Sequence, residues 1–256
     1  MVNTSGDIGS ILGIWAHPDD EAYLSAGLMA HAVDAGRRVV CVTATRGEAG
    51  FPLADAGPAK DRIAVREREM GMSLALLGVT EHHWLGYPDS GCAGVPDREA
   101  AEAVASLIVR VRPDVILTFG PDGGTGHPDH VAACRWATLA HEQAGPAGTR
   151  LLYATKAAGW ISRFQVPDPA RFMMVEDFAP ESVPEDELAV WFTCDDDMAA
   201  RKVAALRAQA SQVEPVVGLF GPERFTEFVR EEFFRDPRTG DRDVMRRVAG
   251  LPRRKG

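Results

Sequence analysis

The sequence predicts an α/β protein built on a mostly parallel sheet that helices cover on both faces. Short apolar runs alternate along the chain with helical patterns, and this alternation is typical of right-handed βαβ units. The segments 39–42 and 115–117 are apolar throughout, as expected of strands that are buried on both sides. At 256 residues the chain can bury a substantial core, so a single domain over 1–256 is predicted.

Strands and helices are predicted from these patterns in turn. The predicted strands are the short apolar runs Ile11–Trp15, Arg38–Ala44, His82–Leu85, Val115–Phe119, Leu151–Thr155 and Ala189–Thr193. The predicted helices lie near 21–35, 60–77, 97–112, 128–143, 197–211 and 223–234. Helical periodicity is clearest at the i, i+3, i+4 and i+7 positions Val104, Leu107, Ile108 and Val111.

Two segments lie outside this alternation. The stretch 157–188 carries several prolines and acidic residues, and it is either a lid beside the core or an acidic surface loop. The part from 214 to 256 is predicted to hold a helix and a basic tail. The apolar positions of 225–233 either dock on the core or form a subunit contact, which leaves a homo-oligomer open.

Composition and charge exclude several classes of function. Hydrophobic residues make up 45 % of the chain and charged residues 25 %, as in a globular protein. The net charge of −9 argues against nucleic acid or an anionic membrane as the main partner. No apolar run approaches the roughly 20 residues that cross a bilayer, and the polar N-terminal stretch does not resemble a signal peptide. Four widely spaced cysteines without a Cys-x-x-Cys pair favour reduced thiols, so a cytoplasmic location is predicted.

Two clusters of histidine and carboxylate residues directly follow predicted strands. The first, 16–21, reads Ala-His-Pro-Asp-Asp-Glu, and the second, 126–130, reads Gly-His-Pro-Asp-His. Because ligands of open parallel sheets bind at the carboxyl ends of the strands, the two clusters are expected to meet there. Glu48 and Asp89 lie in loops that are expected to end on the same rim.

The spacing within each cluster suits a metal site. If each proline starts a helix, His17 and Asp20 lie three residues apart on one face of a first turn, as do His127 and His130. Imidazole and carboxylate are suitable ligands for zinc, and a catalytic zinc takes about three ligands from the protein. The two clusters therefore predict a site with two histidines and one carboxylate.

Other residues of the clusters have further interpretations. Asp19 and Asp129 are free for proton transfer or for orienting a histidine. Glu21 is interpreted as compensation of the helix dipole or as a supporting residue. One such cluster alone would favour a plain helix start with an acidic first turn, whereas two at equivalent positions favour a site. The glycines of 120–126 match neither nucleotide-binding fingerprint and are expected to turn the second cluster toward the first.

Together, the two clusters closely resemble the motifs of the PIG-L/LmbE-like family of zinc-dependent N-deacetylases. The resemblance extends to 45–48, 66–79, 87–91 and 202–212, and it covers most of residues 10–213. It implies a Rossmann-like, three-layer α/β/α fold. It also implies that an acyl group, usually acetyl, is removed from the nitrogen of an amino sugar or a related conjugate, which makes a small N-acyl amino sugar the expected partner.

By position, the resemblance assigns the zinc ligands His17, Asp20 and His130, the catalytic residues Asp19, His127 and Asp129, and the substrate-binding residue Arg66. Asp89 and Glu48, which are expected on the same rim, are also predicted to bind substrate. Asp19 would be the general base, and Asp129 would hold His127 and raise its proton affinity. An ion pair of Arg66 with Glu67 or Glu69 at the surface is the alternative for that arginine. Iron(II) is an alternative to Zn²⁺, because ligand type separates the two metals poorly.

One position departs from the family pattern. Some sugar deacetylases of this family carry a tyrosine two residues before the first histidine of the second motif, where this chain has Thr125. The shorter side chain leaves two alternatives to N-deacetylation open: an amidase for a larger thiol or sugar conjugate, and a catalytically weak sugar-binding homologue. The sequence also does not decide whether Asp19 or His127 protonates the leaving amine.

Overall fold

The structure is a computed structural model that describes residues 8–50, 57–164 and 179–250. In chain order, the strands of these residues are β1 (Ile11–Trp15), β2 (Val39–Thr43), β3 (Glu81–Trp84), β4 (Val115–Thr118), β5 (Arg150–Ala154), β6 (Lys156–Ala157), β7 (Ser182–Val183), β8 (Val190–Thr193) and β9 (Glu231–Arg235). The central sheet has the order β3-β2-β1-β4-β5-β9-β8. Its strands β1 to β5 are parallel, whereas β9 runs antiparallel to both β5 and β8. The short strands β6 and β7 pair in parallel beside it.

Two groups of helices cover the sheet. The helices of the described residues are α1 (Asp20–Asp34), α2 (Ala59–Leu77), α3 (Asp97–Val111), α4 (Pro128–Ala144), α5 (Ala158–Arg163), α6 (Asp196–Ala208), α7 (Ala210–Phe220), α8 (Pro222–Val229) and α9 (Asp241–Ala249). Helices α1, α2 and α6 pack on one another, and α3, α4 and α9 form the second group. Because crossovers between parallel strands are right-handed, this strand order puts the two groups on opposite faces, and the mostly parallel sheet flanked by helices confirms the predicted fold class. Among the described helices, none combines the length and the apolar character needed to cross a membrane.

The predicted strands are all present, with ends that differ by at most one residue. The helix predicted at 197–211 is interrupted at Gln209, where α6 ends before α7 begins. The helix predicted at 223–234 is wrong in its last part, because Glu231–Arg235 forms β9. The charged residues of β9 are buried and paired, so that a charged segment occupies the interior of the sheet.

The C-terminal part and the predicted excursion also differ from expectation. Residues 241–249 form α9, which packs on α4 and buries Met245 and Val248, where the sequence suggested the start of a basic tail. The stretch 157–188 contributes α5 and β7 in its described part, and residues 165–178, on which the prediction of a lid depends, lie outside the described residues.

The strand order creates the position of the site. Strand β1 lies between β2 and β4. After β1 the chain continues through α1 to β2 on one side, whereas after β4 it continues through α4 to β5 on the other side. A crevice therefore opens beyond the carboxyl ends of β1 and β4, where ligands of doubly wound sheets bind. Residues 16–21 follow β1 directly, and the loop from 119 to 127 connects β4 to α4.

Candidate metal and active site

The first cluster leaves β1 and enters α1 through an unusual turn. Helix α1 begins at Asp20, within one residue of the predicted start near 21, and its N-cap residue is Asp19, so Pro18 precedes the helix and does not start it. Asp19 has a φ of 94°, a left-handed value that a residue with a side chain rarely adopts. The N–H of His17 donates to Asp20 Oδ2 at 2.7 Å, which keeps these two side chains on the same side of the turn.

The second cluster starts α4 as the sequence predicts. Pro128 is the first residue of the helix, and His127 is its N-cap residue. Before the helix, the carbonyl oxygen of Gly123 lies 2.9 Å from His130 Nδ1. Gly123 has a φ of 70°, and a Cβ atom there would come within 3.1 Å of the His130 Cβ atom. Glycine at this position therefore lets the loop fold back onto the start of α4.

The three predicted metal ligands lie close together. His17 Nδ1 is 3.2 Å from His130 Nε2 and 3.5 Å from Asp20 Oδ2, and Asp20 Oδ1 is 3.4 Å from His130 Nε2. A metal ion bound tetrahedrally at about 2.0–2.1 Å separates its ligand atoms by roughly 3.3 Å. His17 Nδ1 and His130 Nε2 lie close to this separation, and each faces a different oxygen of the Asp20 carboxylate, so these three side chains could hold a zinc ion after a small adjustment of the side chains.

In His17 and His130, one ring nitrogen faces the Asp20 carboxylate, here called the inner nitrogen, and the other, the outer nitrogen, contacts an oxygen on the opposite side. These outer contacts keep the inner nitrogens directed toward Asp20. His17 Nε2 lies 3.2 Å from Asp89 Oδ1 and 3.3 Å from Asp129 Oδ2, and His130 Nδ1 faces the Gly123 carbonyl oxygen. An outer nitrogen that donates to an oxygen leaves the inner nitrogen with its lone pair, as in most metal-bound histidines. The inner nitrogens here are the two that face Asp20.

The electrostatics of the group also suit a cation. Burial alone would lower the pKa of His17, but hydrogen bonds to the carboxylates of Asp129, Asp20 and Asp89 raise it well above its usual value. These carboxylates thus favour a positive charge at this point, which either a proton on His17 or a metal ion can supply.

Among the described residues, two triplets have ligand atoms that all lie within 4.8 Å of one another, and neither includes Asp20: His17 with His127 and His130, and His17 with Asp89 and Asp129. The second triplet needs His17 Nε2, on the side of the ring away from His130 Nε2. Asp89 and Asp129 are moreover anchored to backbone N–H groups, as described below. The nitrogens of His17 and His130 that face Asp20, together with the Asp20 carboxylate, could therefore hold a metal ion.

His127 is held differently from the expectation. Its Nδ1 accepts the backbone N–H of Asp129 at 3.1 Å, whereas the Asp129 carboxylate lies against His17 and accepts the N–H of Cys92 at 3.1 Å. Burial, together with the charges on His17 and His130, lowers the pKa of His127 to about 3. The charge of Asp129 does raise the pKa of His127, as expected, but burial and the two neighbouring imidazoles outweigh it, and the Asp129 carboxylate contacts His17 instead of His127.

Asp19 and Arg66 form the other side of the site. Arg66 Nη2 donates to the carbonyl oxygen of Pro18 and lies 3.7 Å from Asp19 Oδ2. Burial raises the pKa of Asp19 to about 7, although the charge of Arg66 opposes this rise. Arg66 is only 2 % exposed, and Glu69 binds Ser211 instead. A surface ion pair is therefore not the role of Arg66.

The remaining two predicted residues brace the site. The Asp89 side chain is 5 % exposed, and its Oδ2 accepts the N–H of Ala49 at 2.7 Å while Oδ1 faces His17. Glu48 Oε1 accepts the N–H of Asp89 at 3.0 Å. These contacts orient His17 and the loop beside it, and substrate binding by Asp89 and Glu48 stays a prediction.

Some residues of the site were not predicted from the sequence. The backbone of Cys92 orients Asp129, and Gln209 contacts Glu21 beneath the first cluster. Cys92 lies outside the segments that resemble the family, and Gln209 lies within the resembling segment 202–212, but no role was predicted for either residue. The sequence did indicate a supporting role for Glu21, whose carboxylate accepts the N–H of Asp19 at 3.0 Å.

Comparison with known sequences gives consistent matches. The family model described as PIG-L, GlcNAc-PI de-N-acetylase, matches residues 12–141. A 1D-myo-inositol 2-acetamido-2-deoxy-alpha-D-glucopyranoside deacetylase of Nakamurella multipartita is 36 % identical, with 81 % of each chain covered. The corresponding deacetylase 2 of Catenulispora acidiphila is 35 % identical, with 83 % of each chain covered.

Solved structures share the fold. The N,N'-diacetylchitobiose deacetylase of Pyrococcus horikoshii has a TM-score of 0.59 at 22 % identity, over 88 % of this chain and 82 % of that one. A 4-carboxy-2-hydroxymuconate hydratase of Pseudomonas putida has a TM-score of 0.57 at 15 % identity, over 90 % of this chain and 98 % of that one. Because the names of these two proteins describe different reactions, the fold alone does not fix the chemistry. The matching family model and the sequence relatives confirm the resemblance seen in the two clusters: the chain belongs to the PIG-L family.

Proposed function

We propose that this protein is a zinc-dependent hydrolase that removes the acetyl group from the nitrogen of an amino sugar or amino-sugar conjugate. The approach of His17 Nδ1, the Asp20 carboxylate and His130 Nε2 to within 3.2–3.5 Å of one another, beside Asp19, carries this proposal. The relatives named above are deacetylases of an inositol-linked 2-acetamido sugar, which supports 2-acetamido sugars as the substrate class.

His17, Asp20 and His130 are the residues that would hold the metal. A zinc ion in this place would lower the pKa of a bound water toward about 7 and polarise the acetyl carbonyl group. Asp89, Asp129 and the Gly123 carbonyl oxygen fix the two imidazoles from outside. Since iron(II) suits the same ligand types, the identity of the metal is an outcome of the test below.

Asp19 is the proposed general base. Its side chain is 19 % exposed beside Arg66, and a pKa raised to about 7 suits a group that accepts and returns a proton near neutral pH. Asp19 accepts a proton from the attacking water while the new C–O bond forms. The same proton passes to the amine nitrogen when the C–N bond breaks, so the products are acetate and the free amino sugar.

His127 is the proposed donor to the oxyanion. Because its Nδ1 accepts the N–H of Asp129, the single proton of the neutral ring lies on Nε2. This N–H can stabilise the negative oxygen of the tetrahedral intermediate. A neutral imidazole has no second proton for the leaving amine, so we assign that protonation to Asp19.

The test measures acetate and free amine together. The panel contains N-acetylglucosamine, its inositol glycoside and N,N'-diacetylchitobiose, and the protein is tested with zinc, with iron(II) and after treatment with a chelator. We expect equal amounts of acetate and amine from at least one sugar, loss of both on chelation and recovery with metal. Cleavage of a larger N-acyl conjugate without any acetate release would support the amidase alternative. Binding of sugars without cleavage of any compound would contradict hydrolysis.

We also propose that the chain is a single cytoplasmic domain. All four cysteines are buried free thiols, as is usual in reducing compartments. Thiol titration of protein isolated from its source cells and unfolded under non-reducing conditions should give four reactive thiols per chain. A disulfide in that material would contradict the proposed location.

A further inference from the structure

Asp19 is held in a backbone conformation that its side chain does not favour. Its φ is 94° and its ψ is −28°, a combination that is costly for a residue with a Cβ atom. Backbone conformations of this kind persist at functional sites when several surrounding contacts hold the residue in place. The carbonyl oxygen of Asp19 accepts the N–H groups of Ala22 and Tyr23, each at 2.9 Å, so the first turn of α1 fixes that side of the residue.

Glu21 fixes the N–H side of Asp19. The N–H donates to Glu21 Oε2 at 3.0 Å, and the other carboxylate oxygen, Oε1, accepts Gln209 Nε2 at 2.7 Å. Both Glu21 and Gln209 are fully buried. A buried carboxylate needs donors for its oxygens, and these two N–H groups supply one to each. A chain of hydrogen bonds therefore connects Gln209, through Glu21, to the backbone of the proposed base.

Gln209 lies where α6 ends and α7 begins. Its backbone, with φ −95° and ψ 49°, is not helical, and this break places the side chain beneath the first cluster. Its amide oxygen Oε1 has no hydrogen-bond partner among the described residues. Leaving a buried polar atom unpaired is costly, so the bond to Glu21 is the polar contact that orients this side chain.

The same break supports the other side of Asp19. The N–H and Oγ of Ser211 donate to the two carboxylate oxygens of Glu69, at 2.9 and 2.6 Å. Glu69 lies one turn after Arg66 in α2, and the Arg66 guanidinium approaches Asp19 to 3.7 Å. The junction of α6 and α7 thus contacts the first cluster through Glu21 and helix α2 through Glu69, and these are the two elements that lie beside Asp19.

We infer that Gln209 is a positioning residue for the base: through Glu21 it fixes the peptide of Asp19 and hence the direction of the Asp19 carboxylate. The kinetic consequence of this inference rests on the proposed function. The hydrogen-bond chain has a second consequence, protection of the Asp19 amide hydrogen from exchange, which holds whatever reaction the protein catalyses.

The kinetic test changes the buried pair Glu21 and Gln209, first at position 209 alone and then at both positions, so that the two side-chain types are exchanged. Gln209→Glu places two carboxylates against each other, and we expect kcat to fall about tenfold or more, because small misplacements of a catalytic group are costly. KM should change by less than about twofold and bound metal should be unchanged. The double variant Glu21→Gln with Gln209→Glu restores a donor and an acceptor in the right order, and kcat should return to within about threefold of wild type. Gln143→Glu, at an exposed position of α4, is the matched control.

The second measurement follows the Asp19 amide hydrogen by NMR in the metal-loaded protein. Gln209→Met keeps the length of the side chain but removes its donor, and the Asp19 amide should exchange at least about tenfold faster than in wild type. This variant also serves if Gln209→Glu does not fold. Amide hydrogens in the middle of α4 provide the internal control, because their exchange should not change.

The outcomes separate this inference from the proposed function. Unchanged kcat and unchanged Asp19 exchange in Gln209→Met would overturn the positioning role, and so would loss of bound metal in that variant. If kcat does not recover in the double variant, the hydrogen bond between positions 21 and 209 does not position Asp19, and the inference is overturned. A wild-type protein that cleaves no N-acyl sugar would contradict the proposed function, whereas faster Asp19 exchange in Gln209→Met would still support the positioning.

Discussion

Removal of the Arg66 charge is expected to change the pH at which activity is lost in acid. Arg66 Nη2 lies 3.7 Å from Asp19 Oδ2, and the Arg66 side chain is almost completely buried. Its positive charge stabilises the ionised form of Asp19, so Arg66→Met raises the pKa of Asp19. A base with a higher pKa becomes protonated at higher pH, and the acidic limb of the kcat/KM profile therefore shifts upward.

Coulomb's law sets the size of this shift. Two unit charges 3.7 Å apart interact by about 4 kcal/mol at an effective dielectric constant of about 20, and by about 1 kcal/mol in water. At about 1.4 kcal/mol per unit of pKa, these limits correspond to about 3 units and just under 1 unit. Because the Asp19 side chain is 19 % exposed, we expect a shift between these limits, near 2 units.

The assay compares pH profiles of kcat/KM for a 2-acetamido sugar over about pH 5 to 11, which includes the shifted limb. Arg98→Met is the control, because Arg98 is exposed on α3 and pairs only with Glu102 among the described residues. Bound metal is measured at each pH, since loss of metal also lowers activity. An acidic limb that does not move in Arg66→Met, while metal is retained, would refute the assignment of Asp19 as the base beside Arg66.

Three further substitutions test separate parts of the structure. Asp19→Asn should keep its metal and lower kcat by at least about 10²-fold, as expected on loss of a general base, and retained turnover would contradict that role. Asp89→Asn weakens the contact with His17 Nε2, and competition with a chelator should show metal affinity reduced by about 10–100-fold; unchanged affinity would exclude the support role. Lys202→Met removes the cation 2.6 Å from the fully buried Glu232 carboxylate, which should cost about 3–5 kcal/mol of unfolding free energy in urea. A loss below about 1 kcal/mol would show that this buried pair contributes little.

The sequence predicts one half of the sheet better than the other. Strands β1, β2 and β4 are short apolar runs buried on both faces, so their composition alone indicates them. Strand β9 reads Glu-Glu-Phe-Phe-Arg, and its charges are buried because partners from other elements neutralise them: Arg163 for Glu231, Lys202 for Glu232, and Asp241 with Glu181 for Arg235. A single sequence does not show these pairings, and helical spacing of the aromatic residues before β9 suggested a helix instead.

In the site too, features formed by residues close together in the sequence could be predicted, whereas contacts between residues far apart in the sequence could not. The two clusters were recognisable because histidine and aspartate follow a strand end at short spacing, and the structure brings His17, Asp20 and His130 together. The orientation of Asp129 was not recognisable, because it depends on which imidazole the carboxylate meets after folding. Gln209 is 188 positions away from Glu21 in the chain, and no local pattern connects the two.

X-ray absorption of the zinc-loaded protein tests most directly whether the two clusters form one metal site. We expect nitrogen and oxygen ligands at about 2.0–2.1 Å, with the outer scattering of two imidazole rings. In His130→Ala the signal of one ring should be lost. A sulfur ligand at about 2.3 Å, or an unchanged spectrum in His130→Ala, would contradict a site formed by His17, Asp20 and His130.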